Sequence, residues 1–389
     1  MKQQSLKLAI ALAISAASIP ALADVTLYDY TEATSAYTDA YLSGSANLSR
    51  SRNDAQAAYD MKLDANLDKV LSSPDRDTTF KLDGSGLISR AGTADADSTD
   101  TYTVGLSATM DNYFKPNSKG AFWYGSGSLR ANSESDDLET KLGLGLGYGR
   151  VVNVTPMAKA IRLVEALVMQ GSIARKPSTA VHNQIANIIA KEDSYASKHG
   201  RKDYQKFWLG AIESTLRSAG VLSGNLNAAG VLETRNVLVD ERISTRKLGW
   251  KVRAGLSYIG TNFDGLTNKP GLELGAEYHQ PLSNRTQFST VAVATAILDT
   301  ATDAYNFNNK MTLTHEVDDR IDWENSWTLG YNKASSGGDV TINTLSSTFL
   351  YELTNSLDYS ITANVSHIDG TSNDGVDRSL LIGVRYRLK

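Results

Sequence analysis

The chain has 389 residues, a net charge of −4 and no cysteine, which excludes disulfide bonds, thiol nucleophiles and thiolate metal sites. It contains 30 glycines, only 7 prolines, and 18 tyrosines against 8 phenylalanines, a composition that suits long strands with amphipathic aromatic side chains. At the start of the chain, Lys2 and Lys7 precede a short apolar stretch over 8–19, and residues 21–23 are Ala-Leu-Ala. We expect a secretory signal peptide over 1–23 and export of the protein. The alternative is an uncleaved anchor, but a spanning helix needs about 20 apolar residues.

Beyond this segment, apolar and polar residues alternate over stretches of about ten residues or more. The segment 59–68 reads YDMKLDANLD and the segment 357–365 reads LDYSITANV. Because side chains alternate faces along a strand, each stretch offers one apolar and one polar face. A soluble sandwich reads similarly, but these stretches have the length of tilted transmembrane strands, and aromatic residues collect near the tight turns. A bilayer offers no water to open strand edges, so the sheet has to close into a barrel.

The pattern predicts an all-β transmembrane antiparallel barrel of about 14 strands, although 12 or 16 strands also fit the length. The predicted strands are 38–52, 56–71, 77–91, 100–114, 119–132, 137–151, 246–261, 269–281, 285–298, 303–316, 319–334, 339–353, 356–368 and 378–389. Tight connections, as near Pro74 and Pro116, alternate with longer ones rich in Gly, Ser, Thr and Asp, as over 369–377. Transmembrane barrels place short turns in the periplasm and longer loops outside.

The C-terminal segment 383–389 reads GVRYRLK, a glycine followed by aromatic or apolar residues at alternate positions. In this it resembles the terminal assembly signal of the Gram-negative outer-membrane β-barrels, a porin-like class rather than one family. It departs from that signal at Leu381, where the signal has a polar residue, and at Lys389, where it has an aromatic one. The resemblance implies an outer-membrane location, contact with outer-membrane lipid and lipopolysaccharide, and insertion by the barrel-insertion machinery through the C-terminal strand.

Between the sixth and seventh predicted strands the period becomes helical. Thr155-Pro156 starts a helix that stops at Gly171, and three more helices are predicted from Pro177, around 204–216 and, more weakly, over 226–240. Because this insertion follows an even-numbered strand, it is expected in the periplasm. The predicted organisation is a signal peptide over 1–23, about six barrel strands over 24–152, a helical periplasmic insertion over 153–245 and about eight strands over 246–389.

The insertion is basic. Over 153–247 there are 14 Lys and Arg against 8 Asp and Glu, whereas the other residues after position 23 together carry −12. Such a module predicts an acidic periplasmic protein, an anionic polymer or an inner-leaflet phosphate as its partner, and no nucleic acid. The alternative is that the charges are solvated faces of a small structural domain. Phe207, Trp208 and Ile212 are expected to lie in the core of its helix bundle.

The polar strand faces point into the barrel by parity. The charged residues predicted to line the pore are Asp60, Lys62, Asp64 and Asp68 on the second strand, Lys251 and Arg253 on the seventh, Glu273 and Glu277 on the eighth, Asp322 and Glu324 on the eleventh, and Arg385 and Arg387 on the fourteenth. Unpaired buried charge is costly, so the lumen should be water-filled or laced with ion pairs. A continuous wet path would favour a channel. Fully paired charges across the lumen would favour a closed barrel.

No cofactor, metal site or catalytic centre is predicted. The histidines lack the HxxxH and HExxH spacings of zinc sites; they are His182, His199, His279, His315 and His367. The glycine run over 143–149 lacks the full GxGxxG spacing and lies within a strand, so we expect its glycines to leave room inside the barrel, either where the strand meets the helical insertion or for a neighbouring bulky side chain. A hydrolase at the barrel rim, pairing His367 with an acid such as Asp369, is a third alternative, but the sequence offers no matching nucleophile.

These patterns favour a non-enzymatic outer-membrane channel that passes hydrophilic solutes or an exported polymer. The helical module is expected to gate the periplasmic mouth or to dock an envelope partner. The alternative is a structural or assembly protein whose closed barrel anchors the module and presents it to periplasmic partners.

Overall fold

The computed structural model of the chain describes residues 25–31, 36–49, 55–263, 267–299, 304–334, 338–370 and 374–388. Over these ranges the chain forms a closed antiparallel barrel of 14 strands, with four α-helices inserted between the sixth and the seventh strand. The predicted fold class and strand number are confirmed. The predicted signal peptide over 1–23 and the terminal Lys389 lie outside the described residues.

Each strand pairs with its neighbours in sequence, and pairing of β1 with β14 closes the barrel, so that no strand edge is left open. The strands are β1 (Ala36–Ser49), β2 (Ala58–Ser72), β3 (Arg76–Arg90), β4 (Ser98–Tyr113), β5 (Ala121–Asn132), β6 (Ser135–Asn153), β7 (Lys247–Thr261), β8 (Thr267–Pro281), β9 (Thr286–Ile297), β10 (Tyr305–Glu316), β11 (Ile321–Lys333), β12 (Asp339–Thr354), β13 (Leu357–Asp369) and β14 (Gly375–Arg387).

The outer surface of the barrel carries the apolar face of each strand. On β6, Leu142, Leu144 and Leu146 are each more than 60% exposed, while the glycines between them face inward. Aromatic rings lie near the turns, as where Tyr148 and Trp250 stack with ring centroids 5.9 Å apart. An apolar belt with aromatic residues at its margin is characteristic of the exterior of an outer-membrane β-barrel.

The helices of the insertion are α1 (Thr155–Met169), α2 (Thr179–Ile189), α3 (Glu192–Ser218), which is kinked at Gly200, and α4 (Ala228–Arg235), which continues into a π-helical turn at Asn236–Asp240. Pro156 occupies the first turn of α1, where its missing N–H costs no hydrogen bond. None of the helices in the described part of the chain has the length and apolar character that crossing a bilayer requires.

One apolar core holds this helical module together and extends to both of its ends. Val154, at the end of β6, and Leu248, at the start of β7, pack on it, and Leu27 from the short 3-10 turn near the start of the chain is buried in it. Trp208 and Ile212 are fully buried there, as predicted, but the prediction for Phe207 was wrong. Phe207 is 46% exposed and stacks on His199 at the surface, with ring centroids 3.9 Å apart, because it lies on the outer side of α3 beside the buried Trp208.

Candidate functional site: the closed end of the lumen

The lumen has two halves of different character, and the half away from the helical module is open to solvent. Asp60 and Lys62 of β2, and Asn308 and Lys310 of β10, face inward by parity and are exposed. A cavity of about 470 Å³ lies in this half, with Asn308 and Asn332 among its lining residues. Water therefore reaches the charged and amide side chains of the outer half, as the hydration of such groups requires.

In the half next to the module, most inward-facing charges are paired along the wall, and several of them are buried. Lys251 Nζ lies 2.8 Å and Arg253 Nη2 lies 2.7 Å from Asp111 Oδ2, although β4 and β7 are three strands apart. Arg253 also binds Glu277 at 2.9 Å. Asp111 is 1% exposed and Lys251 is 6% exposed, so both charges depend on these partners rather than on water.

The segment Arg242–Lys247, which we call the crossing segment, joins the helical module to β7 and spans the mouth of the barrel. On one side, Thr245 Oγ1 donates to Asp39 Oδ2 of β1 at 2.7 Å, and Lys247 Nζ lies 3.6 Å from Asp68 of β2. Further along the same wall, Arg242 pairs with Asp358 of β13. Strands β13, β1 and β2 lie on the side of the barrel opposite β7, so the crossing segment reaches across the mouth from β7 to the opposite wall.

Glu316, at the end of β10, is the point where the module, the crossing segment and the wall meet. Its carboxylate accepts hydrogen bonds from Arg246 Nη2 at 2.5 Å, from Ser244 N and Oγ at 3.0 Å each, and from Arg162 of α1. Arg162 also binds Glu241 Oε1 at 2.5 Å. Glu316 is 3% exposed and Arg246 is fully buried. We call this cluster the mouth latch: Arg162, Glu241, Ser244, Arg246 and Glu316.

The two guanidinium groups of the mouth latch have opposite pKa shifts, because their surroundings differ. Burial lowers the pKa of Arg162, but the carboxylates of Glu316 and Glu241 more than compensate, so its pKa is raised. Burial also lowers the pKa of Arg246; Glu316 opposes this and the nearby Arg162 cation adds to it, so its pKa falls below the usual value. Both groups stay protonated at neutral pH, and Arg246 depends most on Glu316 as its counter-ion.

Ten of the twelve charged residues predicted to line the pore have ion-pair partners. Within the predicted set, Lys62 pairs with Asp64, and Glu324 pairs with Arg385 at 3.0 Å. Lys251, Arg253 and Glu277 belong to the wall network described above. Three more residues pair with residues outside the predicted set: Asp68 with Lys247, Glu273 with Lys141, and Asp322 with Arg242. Asp60 and Arg387 have no ion pair with a described residue. That these side chains line a conducting path stays a prediction.

Sequence reasoning missed Asp111 and Arg150 in the wall and the basic residues of the crossing segment. Arg150 follows Gly149, whose φ of +100° accompanies a turn of the side chain inward, where it binds Asp77 at 2.7 Å. Strand parity alone would place Arg150 outside. The run RISTRK over 242–247 was the available signal, because it re-enters a barrel whose nearby inward positions are acidic.

The glycines of β6 make room for two aromatic side chains of β5, which confirms the second of the two expected roles of the run over 143–149, room for a bulky neighbour. A Cβ on Gly147 would lie 2.2 Å from Cζ of Phe122, and one on Gly145 would lie 2.7 Å from Cε1 of Tyr124. Both rings are fully buried in the lumen. They fill the side of the barrel that borders the wall network, which narrows the water-accessible cross-section there.

Comparisons with known proteins show similarity of fold alone. No family model and no curated protein matches the sequence. The structure is similar to CdiB from Escherichia coli (8% identity, TM-score 0.40), with 90% of this chain and 62% of CdiB covered, so the chain spans about three fifths of that protein. It is also similar to OprB from Pseudomonas putida in its high-pH structure (8%, 0.36; 91% and 94% covered) and to the β-domain of the Bordetella autotransporter BrkA (9%, 0.31; 92% and 99% covered).

Proposed function

We propose that the chain is a gated outer-membrane channel for hydrophilic solutes, closed at its periplasmic end by the helical module. The observation that supports this is the contrast between the halves of the lumen. In the outer half, inward-facing Asp60 and Lys310 are exposed, whereas at the mouth Arg246 of the crossing segment and its partner Glu316 are both buried. A solute entering from outside therefore meets water first and the module last.

The closure is polar, and this suits a gate. The crossing segment is held to the wall by ion pairs and hydrogen bonds at Asp39, Glu316 and Asp358. Charged groups that separate regain hydration, so the net cost of separating a buried pair is far smaller than its Coulomb attraction. The barrel strands pair with one another without the module, so the module can leave the mouth while the barrel stays intact.

The wall of β12 and β13 indicates the kind of solute. Thr344 Oγ1 and Ser366 Oγ lie 3.0 Å apart, and Thr348 Oγ1 and Thr362 Oγ1 lie 2.9 Å apart, on the inner face. Hydroxyl groups donate and accept hydrogen bonds and carry no charge. With charges of both signs elsewhere in the lumen, this wall favours small neutral or weakly charged hydrophilic solutes over a strongly selective ion filter.

Single-channel conductance in planar bilayers tests the proposal, with the intact protein compared with a variant that lacks 155–244. We expect brief or small openings of the intact protein and a larger, steady conductance after the deletion. Gel mobility with and without heating shows whether the deleted variant is a folded barrel. A folded variant without conductance would contradict the channel.

A second candidate is a closed anchor that presents the helical module to periplasmic partners. The wall network around Asp111, Arg253 and Glu277 favours it, because these pairs form among barrel residues alone and would persist after the deletion. In that case neither the intact protein nor the variant that lacks 155–244 conducts in planar bilayers, and deletion of the module removes binding of the periplasmic partner instead.

A further inference from the structure

The membrane-facing surface of the barrel is not uniform: it carries polar side chains in mid-membrane on four adjacent strands. We call these residues the polar seam; they are Thr290 of β9, Asn309 of β10, Asn325 of β11, and Asn343 and Ser347 of β12. Each lies at least four residues from either end of its strand. On the other ten described strands, the outward positions that meet the same criterion hold apolar residues or glycines, except Thr140 of β6, whose hydroxyl accepts a hydrogen bond from Thr261 N.

Cross-strand contacts place the seam on the outer face. Trp323 and Phe349, which are 37% and 49% exposed, stack with ring centroids 5.6 Å apart, and Trp323 Nε1 donates to Ser347 Oγ at 2.9 Å. Asn325 lies opposite Ser347 and two residues from Trp323. Residues two apart on a strand share a face, so Asn325 and Ser347 point to the membrane with the two rings.

The amide groups of the seam are largely unsatisfied within the barrel. Asn309 is only 8% exposed and its Oδ1 accepts a hydrogen bond from Thr290 Oγ1 at 3.0 Å, so the free amides of the seam are those of Asn325 and Asn343. The side chains of Asn325 and Asn343 have no hydrogen-bond partner among the described residues. Hydrocarbon cannot supply donors or acceptors, so a polar group left unpaired there is costly. Headgroups and lipopolysaccharide sugars lie at the membrane surfaces and do not reach mid-span, which leaves protein as the occupant.

We propose that the face formed by β9–β12 packs against the same face of a second copy of this chain within the membrane. A carboxamide is uncharged and is both donor and acceptor, so a surface of carboxamides and hydroxyls is complementary to itself in a two-fold arrangement. The side chains of Ala292 and Ala294 on the outer face of β9 are small, which allows two barrels to approach closely. The proposal does not depend on the channel function.

The chain has no cysteine, so single introduced cysteines report on the contact directly. We expect Asn325→Cys and Asn343→Cys to give covalent dimers of this chain with a short bis-maleimide in native outer membranes. Leu144→Cys, on the outer face of β6 and 63% exposed, is the matched control and should stay monomeric. Dimers at all three positions would indicate random collision and overturn the proposal, as would cross-linking of the seam cysteines to a different protein.

A second variant replaces both free amides, Asn325→Leu with Asn343→Leu. Loss of the mutual amide hydrogen bonds should weaken self-association in mild detergent by about tenfold or more, measured by native mass spectrometry over a protein dilution series. Heat-dependent gel mobility confirms that the barrel is folded. A wild-type chain that is monomeric at every concentration, or a variant that dimerises as tightly as wild type, would overturn the proposal.

Discussion

Replacing Glu316 by glutamine should loosen the docking of the helical module at the mouth. The carboxylate accepts hydrogen bonds from Arg246, Arg162 and Ser244 and is 3% exposed. Removal of one partner of a buried ion pair costs about 3–5 kcal/mol. The glutamine oxygen still accepts some of these hydrogen bonds, so we expect a loss of about 2–3 kcal/mol, or roughly a 30- to 150-fold larger undocked population.

The undocked population is measured with a cysteine at Ile243, which lies in the crossing segment and is 5% exposed. A maleimide reaches this position only after the segment leaves the mouth, so the labelling rate follows the undocked fraction. The labelling rate should rise by roughly 30- to 150-fold in Glu316→Gln and stay unchanged in Glu324→Gln. Glu324 is the matched control because it pairs with Arg385 in the wall and does not touch the module. Labelling rates that agree within about threefold between the two variants would refute the role assigned to Glu316.

Two further pairs of substitutions test the lumen packing and the core of the module. Gly147→Ala places a methyl group against the ring of Phe122, whereas Gly125→Ala on the adjacent strand meets nothing within 4 Å. In urea unfolding, the Gly147→Ala variant should be less stable than the Gly125→Ala variant by about 1–3 kcal/mol. Equal stabilities of the two variants would contradict the packing argument. Trp208→Ala should destabilise the module by about 3–5 kcal/mol and Phe207→Ala by less than about 1 kcal/mol, since only Trp208 is buried. Hydrogen exchange of α3 measures both, and similar losses would place Phe207 in the core after all.

The strands could be predicted because their signal is local. The second strand was predicted over 56–71 and runs over Ala58–Ser72; the thirteenth was predicted over 356–368 and runs over Leu357–Asp369. A period of two fixes which residues share a face without knowledge of any partner strand. The closed order follows because antiparallel neighbours in sequence pair in space and a membrane forbids open edges.

The mouth could not be predicted in the same way, because its contacts join residues distant in sequence. Arg162 and Glu316 are 154 residues apart, and Arg246 and Glu316 are 70 apart. The direction of Arg150 depends on the backbone of Gly149, which reverses the parity rule at one position. Parity identifies which charges face inward, but their partners depend on how the barrel curves and on where the crossing segment lies.

The attachment of the module determines how it is able to move. Its two ends are neighbours, since Asn153 pairs with Lys247 and Val154 N donates to Arg246 O at 2.8 Å. The module is thus joined along the β6–β7 edge, while Asp358 of β13 lies on the opposite wall. In the proposed gating, displacement is then a swing about that edge, and space opens first beneath the strands farthest from it, β12, β13 and β14. A solute would pass along the hydroxyl groups of that wall, so they, rather than the ion pairs of β4–β8, would decide which solutes are admitted.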